Sequence, residues 1–377
     1  MPQFRAKFGP RGVIHCWATD KDDTTVDPSF GKVGPQRIEN TGPLTVNRMQ
    51  TVDDEFTDAA LGWMDKQVKA NKPFFCYVNS TRMHVFTHLK PESEGKTGLG
   101  LEADGMVEHD GHVGQLLKKL DDLGIADNTI VVYTSDNGAE VMTWPDGGST
   151  PFRGEKATNW EGGYRVPTLI RWPGVIKSAT IYSDFFAHED FLPTFAAAAG
   201  NANIVDQCMK NCQLRSASYH VHLDGYNLIP FFKGEVKDSP RKDFLYWSDD
   251  GDLFAIRYDR WKVTFYEQNR EGLDVWMKDY EKLRVPKIFD LRADPFERGD
   301  SSFLYDDWMV HRVYFAYGAQ AHMRRQTSWA LNFNSIVKKR TWTSSAMLTS
   351  LNALSRGLYR STRGARCTAL LGGVIRM

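Results

Sequence analysis

Cysteine is scarce: 377 residues carry five. That density excludes the disulfide frameworks of small secreted domains. Cys16, Cys76 and Cys367 stand alone. Cys208 and Cys212 are close enough for a local disulfide or half of a metal clip; unbridged thiols are the expectation. Net charge is also lacking. Lys plus Arg number 47 and so do Asp plus Glu, which gives no global field toward nucleic acid or an anionic membrane, and no nucleic-acid partner is expected. No apolar run approaches the ~20 residues that cross a bilayer. The opening MPQFRAKFGPRG has no apolar signal core, so the compartment stays open, as does the oligomeric state. Acid disappears after Asp307: residues 308–377 hold eleven Lys or Arg and no Asp or Glu. A basic arm for an anionic partner is one reading. The preferred one is a poorly ordered tail that, from about Ala321-His322, is not selected protein sequence but reads as if translated out of frame.

What is present suits a globular protein. Hydrophobic residues make up 41% and charged residues 25%, enough for one large or two modest cores. Residues 1–50 are rich in Gly, Pro and Asp and read as loop and short irregular pieces. Asp20-Lys21-Asp22-Asp23-Thr24 starts like a calcium-hand loop, but Thr25 and Gly31 stand where that loop needs Gly and Glu. From Thr51 to Ala70 apolar residues recur at helical spacing, and Asn71-Lys72-Pro73 ends the run. PFFCYVN reads as a buried strand, 105–123 as a second amphipathic helix, TIVVYT as a second buried strand, RVPTLIRWPG as a third, and HEDFLPTFAAAAG as a short helix. Continuous apolar strands separated by helices imply an α/β fold with a mostly parallel sheet covered on both faces. Around Ser239-Pro240 the pattern becomes aromatic and β-rich, with DFLYWS, DLFAIRY and RWKVTFYE between short turns, the signature of a small antiparallel sheet. The expected organisation is 1–238, an α+β subdomain over 239–307, and the tail 308–377.

The strand TIVVYT stops at Ser135-Asp136-Asn137-Gly138. Ligands of open α/β sheets bind at the carboxyl ends of strands, and a carboxylate beside an amide offers two hard oxygen donors for Ca²⁺ or Mg²⁺. An ordinary strand-capping turn is the competing reading, with Gly138 allowing the chain to turn sharply. Lys156, in PFRGEKATNWEGGYRVP, suits a point charge on an oxyanion, or a solvated surface lysine. Gly154, Gly162 and Gly163 would let the backbone approach a ligand closely. His84 follows the first strand and could bind an anion or protonate a leaving group, with His88 sharing its face or solvated. Asn79-Ser80-Thr81 fits a glycosylation acceptor but hugs the strand end and is discounted. His109 and His112 lie three apart on the second helix. A helix surface decorated with histidine is preferred to a metal pair.

Taken together, PFFCYVNSTRMHV, DGHVGQLLKKLDDLGIADNTIVVYTSDNGAE and PFRGEKATNWEGGYRVPTLIRWPG resemble the sulfatases of the alkaline-phosphatase-like superfamily, over about residues 50–320. The resemblance implies a mixed, mostly parallel sheet flanked by helices, and hydrolysis of sulfate esters, arylsulfatase-like, at one calcium ion. Asp136 and Asn137 would be two of its ligands. Lys156 would hold the sulfate and the leaving-group oxygen, and His84 would contact the same region and assist protonation of the leaving group. The substrate would be a small-molecule or glycan sulfate ester. Family members are often exported.

The sequence departs from the family at its nucleophile. That group is a formylglycine made from Cys or Ser in Cys/Ser-x-Pro-x-Arg. None of the five cysteines has this context, and Ser239-Pro240-Arg241 has the wrong spacing. The family's N-terminal acidic pair for calcium and its upstream Lys/His pair also lack candidates. The expectation is therefore a chain truncated at its N-terminus, with an incomplete calcium site, an exposed sheet edge and no activity. The alternatives are a non-catalytic remnant that binds anions or a partner and, below that, a phosphatase or phosphodiesterase of the same superfamily.

Overall fold

In this computed structural model residues 12–24, 26–27, 31–214, 217–248, 251–319, 321 and 373–376 are described. Strands β1 (Ile14–Ala18) and β2 (Gln36–Asn40) form an antiparallel ribbon where irregular chain was expected. The ribbon is largely exposed, so its sequence carries no buried-face alternation from which a strand could be read. Helix α1 (Val52–Lys69) has Asp53, Asp54 and Glu55 in its first turn and Lys66 and Lys69 in its last, the order that complements the helix dipole. It stops at Asn71, in the left-handed region at φ 48°, just ahead of Pro73. Strand β3 (Phe74–Tyr77), helix α2 (Leu101–Asp122) and strand β4 (Thr129–Thr134) follow. Strand β5 is Thr168–Arg171, and helix α3 is Phe191–Ala198.

The central sheet is covered because successive side chains of β4 point to opposite faces. Ile130 and Val132 join Trp172, Phe191, Leu228, Phe231 and Phe232 on one side. Val131 faces the other, where Met64 of α1, Leu120 of α2, Phe74, Cys76 and Ile125 form a second core. Burying each such side chain contributes about 1.5–3 kcal/mol. His109 and His112 are buried, at 8% and 5% exposed, rather than decorating a surface. They are on the face of α2 turned to the sheet, where His109 packs on Tyr133 and His112 Nε2 lies 2.8 Å from Asp54. Neither Nδ1 atom has a partner among the described residues.

The chain has an α/β fold. Among the described residues every pairing of its central sheet is antiparallel, and the sheet takes in a segment near the end of the sequence. A strand over Gly373–Arg376 lies between β3 and β4, antiparallel to both, so β3 and β4 run in the same direction one strand apart; β5 pairs antiparallel with β4. The slot between β3 and β4 is thus filled, not open. That strand belongs to the expected basic tail, most of which lies outside the described residues.

The second sheet has order β6-β7-β8-β9 and is antiparallel throughout: Asp243–Trp247, Leu253–Tyr258, Trp261–Glu267 and Glu281–Asp290. Helix α4 (Asp274–Met277) sits in the β8–β9 connection. Its core gathers Tyr246, Phe254, Ile256, Val263, Phe265 and Ile288. Strand β9 escapes a sequence reading because Lys282, Arg284, Pro286 and Lys287 interrupt its apolar positions. Helix α5 (Tyr305–Val310) runs through position 307, and Trp308, Phe315 and buried Ala316 pack on this sheet, so its packing reaches beyond that position. Cys208 and Cys212, expected as thiols, are joined as a disulfide. The helix over Ile204–Lys210 ends at Asn211, and the turn returns Cys212 over Cys208, both buried.

Candidate active site

Because β3 and β4 share a direction, their carboxyl ends lie at one rim of the sheet. Strand β4 is fully buried at Thr134, and the chain emerges at Asp136, which is exposed. The Asp136 carboxylate makes no hydrogen bond or ion pair with the described residues. Asn137 donates its amide N–H to the Gly138 carbonyl at 2.8 Å, leaving Oδ1 as the atom able to face a ligand. Gly138 does not serve a left-handed turn. Its N–H donates to Gly163 O at 3.0 Å, and a Cβ at 138 would lie 1.6 Å from Gly162 O. The glycines at 138, 162 and 163 therefore let backbone pack on backbone, where the sequence suggested an approach to a ligand.

That contact docks the Lys156 loop onto the turn after β4. Lys156 N–H donates to Ala139 O at 3.1 Å. The buried Glu155 carboxylate accepts from Val141 N–H and Gly272 N–H, both at 2.7 Å. Farther along, Asn159 and Trp160 donate to Tyr266 O and Gln268 O. Glu161 is ion-paired to Arg165, Arg257 and Lys262. Burial alone would push the Glu161 carboxyl up, but Lys262, Arg257, the Tyr246 hydroxyl and Arg165 together hold it down to about 2. The loop is thus bolted to the antiparallel sheet while it presents Lys156, whose Nζ lies 3.3 Å from Glu140 Oε1 and 5.9 Å from the Trp276 ring centre.

Asp136, Asn137 and Lys156 line one cavity of about 1770 Å³, which also runs along the sheet past Val131 and Leu169. His84 is not among its lining residues. It is exposed on the loop after β3, with Nδ1 2.9 Å from Val85 O. The loop itself is firmly held. Buried Arg82 pairs with Glu108 at 2.7 Å and Asp53 at 3.2 Å, and Asp53 also accepts from Ser80 Oγ, Thr81 N–H and Thr81 Oγ1. The structure thus brings three of the four expected residues together and leaves His84 on the same rim outside the cavity.

It also adds a residue that the sequence did not single out. His188 lines the cavity, with Nε2 3.1 Å from Thr134 Oγ1 at the end of β4. Burial pushes its imidazole below the usual value, and the charge of Asp136 pulls the other way. Only tertiary packing brings His188 to Asp136. In sequence it reads as the start of a helix.

The sulfatase family model matches residues 16–201. The chain belongs to the sulfatase family. It is 34% identical over 249 residues to steryl-sulfatase of Rattus norvegicus, covering 60% of this chain and 41% of that protein. To arylsulfatase A of Homo sapiens it is 31% identical over 241 residues, covering 61% and 44%. To N-acetylgalactosamine-6-sulfatase of Canis lupus familiaris it is 30% identical over 273 residues, covering 67% and 49%. The chain spans less than half the length of these relatives. Among solved structures, the PsFucS1 sulfatase from Pseudoalteromonas sp. superposes with a TM-score of 0.67 at 24% identity, over 82% of this chain and 60% of that one. Ps i-CgsB in complex with k-i-k-neocarrahexaose gives a TM-score of 0.54 at 24% identity, over 87% and 64%. The alkaline-phosphatase-like fold of this sulfatase chain stands on these likenesses. The match begins at Cys16, well ahead of residue 50 where the motif resemblance starts, so it includes most of the N-terminal ribbon.

Proposed function

We propose that this chain carries the leaving-group side and part of the calcium shell of a sulfate-ester hydrolase site, arylsulfatase-like in type. The observation that carries the reading is the shared cavity, in which an unpaired carboxylate, a neighbouring amide and a lysine meet at a strand end. Lys156 supplies the positive charge that binds the sulfate and the leaving-group oxygen, exchanging its Glu140 partner for the anion. His84 stands on the same rim and assists protonation of the departing alcohol.

The donor chemistry at Asp136 and Asn137 fits a hard cation. Two oxygens are fewer than the six to eight that calcium takes, and no cluster of three His, Cys, Asp or Glu suited to a metal occurs among the described residues. When bound, calcium would act as a Lewis acid on a sulfate oxygen. Ser149-Thr150-Pro151-Phe152-Arg153, which the sequence reading did not single out, does have the form Ser-x-Pro-x-Arg. It lies in the loop just ahead of Lys156, and its Arg153 is spent on Asp300 and Glu297 O, so we assign it to the structure of that loop and not to the nucleophile, and the chain in hand binds sulfate esters without turning them over.

Two measurements on the full chain test this. With 4-nitrocatechol sulfate no hydrolysis is expected. Titration calorimetry should give a calcium dissociation constant weaker than about 10⁻⁴ M, toward the low-affinity end of protein sites. Turnover that vanishes in Lys156→Ala would show that a nucleophile is present after all. Micromolar calcium binding lost in Asp136→Asn would show that the shell is complete.

A further inference from the structure

Trp276 is half exposed, at 51%, on the four-residue helix α4, and its exposure is not slack. The helix is pinned from below by buried Val275 and by Gln268, whose amide donates to Val275 O and Lys278 O. Next to it Tyr280 donates its hydroxyl to Ala157 O at 2.5 Å, tying α4 to the residue after Lys156. Trp276 therefore stands at a fixed height beside Lys156, lining the same cavity. Leu273 and Met277, at 56% and 71% exposed, flank it in sequence. Three large apolar side chains exposed on one anchored turn next to a cation form a surface that water solvates poorly.

Four hydroxyls that line the same cavity are already engaged. The Tyr280 hydroxyl is spent on Ala157 O, that of Tyr164 on Trp247 O, that of Tyr246 on Glu161, and that of Thr158 on Glu155 O. A sugar ring placed against these groups would give up water from its own hydroxyls and regain no hydrogen bond from them, which costs binding. A flat apolar ring loses nothing of that kind and gains contact with the indole face.

We propose that Trp276 is the platform for the alcohol half of the substrate, and that this half is a planar aromatic or fused apolar ring. Its sulfate lies on Lys156, so the inference rests on the role given to Lys156 above. Trp276 sets specificity and takes no part in bond breaking.

The test is calorimetric binding to the full chain, with 1-naphthyl sulfate, galactose 6-sulfate and inorganic sulfate as probes. Wild type should bind 1-naphthyl sulfate most tightly. Trp276→Ala should weaken that probe about tenfold and leave inorganic sulfate unchanged, with Trp276→Phe recovering part of the loss. Lys156→Ala should weaken all three. An unaltered thermal melt of each variant separates binding from folding. If Trp276→Ala leaves 1-naphthyl sulfate binding unchanged while Lys156→Ala weakens it, the platform is wrong and the Lys156 role stands. If Lys156→Ala changes nothing, the Lys156 role fails first. If galactose 6-sulfate binds as tightly as 1-naphthyl sulfate and depends equally on Trp276, the ring is a sugar and the substrate class is overturned.

Discussion

Lys262 offers the sharpest perturbation. It is fully buried, with Nζ 2.7 Å from Glu297 and 3.3 Å from Glu161, both carboxylates also buried, and it donates to Asn159 O at 2.8 Å. Lys262→Met keeps most of the volume and removes the charge. Glu161 keeps Arg165 and Arg257, whereas Glu297 loses its only cation among the described residues. Stranding a buried charge in this way costs about 3–5 kcal/mol. At roughly 2 °C per kcal/mol for a chain of this size, the midpoint should fall by roughly 6–10 °C. The pH dependence follows from the two carboxyls. Glu161, held down in the folded chain, contributes stability above the usual glutamate range that is lost as pH falls toward 2. Glu297 is shifted up, first by burial and then by the charge of Glu161. Its contribution is full below the usual glutamate range and is lost as pH rises through the raised value. Without Lys262 both shift upward, so the variant's deficit should be largest near pH 7 and shrink as acid neutralises the stranded groups. Urea unfolding of both proteins at several pH values measures this. A deficit below about 1 kcal/mol at pH 7, or one that does not change with pH, would refute the reasoning.

Gly138→Ala should destabilise by about 1–3 kcal/mol, the usual cost of overpacking, because its Cβ would press into Gly162 O; an unchanged denaturation midpoint would contradict this. Among the described thiols, Cys16 is exposed and should react with a thiol reagent within minutes at pH 8. Cys76 is buried, and burial pushes its thiol up to about 11, so it should react only on unfolding; mass mapping of the labelled peptides reads the difference.

The helices and core strands were legible because their physics is local. TIVVYT is an uninterrupted apolar run, and its strand ends as read at Thr134, with only Ser135 between it and the acid and amide. The placement of Asp136, Asn137 and Lys156 on one cavity could be anticipated from strand-end position and the resemblance. Three features were hidden because they arise between distant segments. The glycines serve backbone-to-backbone contact, which sequence cannot distinguish from approach to a ligand. His109 and His112 look polar but face the sheet, where one finds Asp54 and the other Tyr133. His188 reaches the site only through packing of its helix against β4.

The C-terminal strand pairs Val374 with both Cys76 and Val131. Val131 lies about 240 positions earlier in the chain. While the polypeptide is being made, β3 and β4 emerge early and must wait, unjoined, for their shared neighbour. A central seam that closes last puts the slowest kind of contact in the middle of the core, and the waiting strands are the ones most open to pairing with another nascent chain.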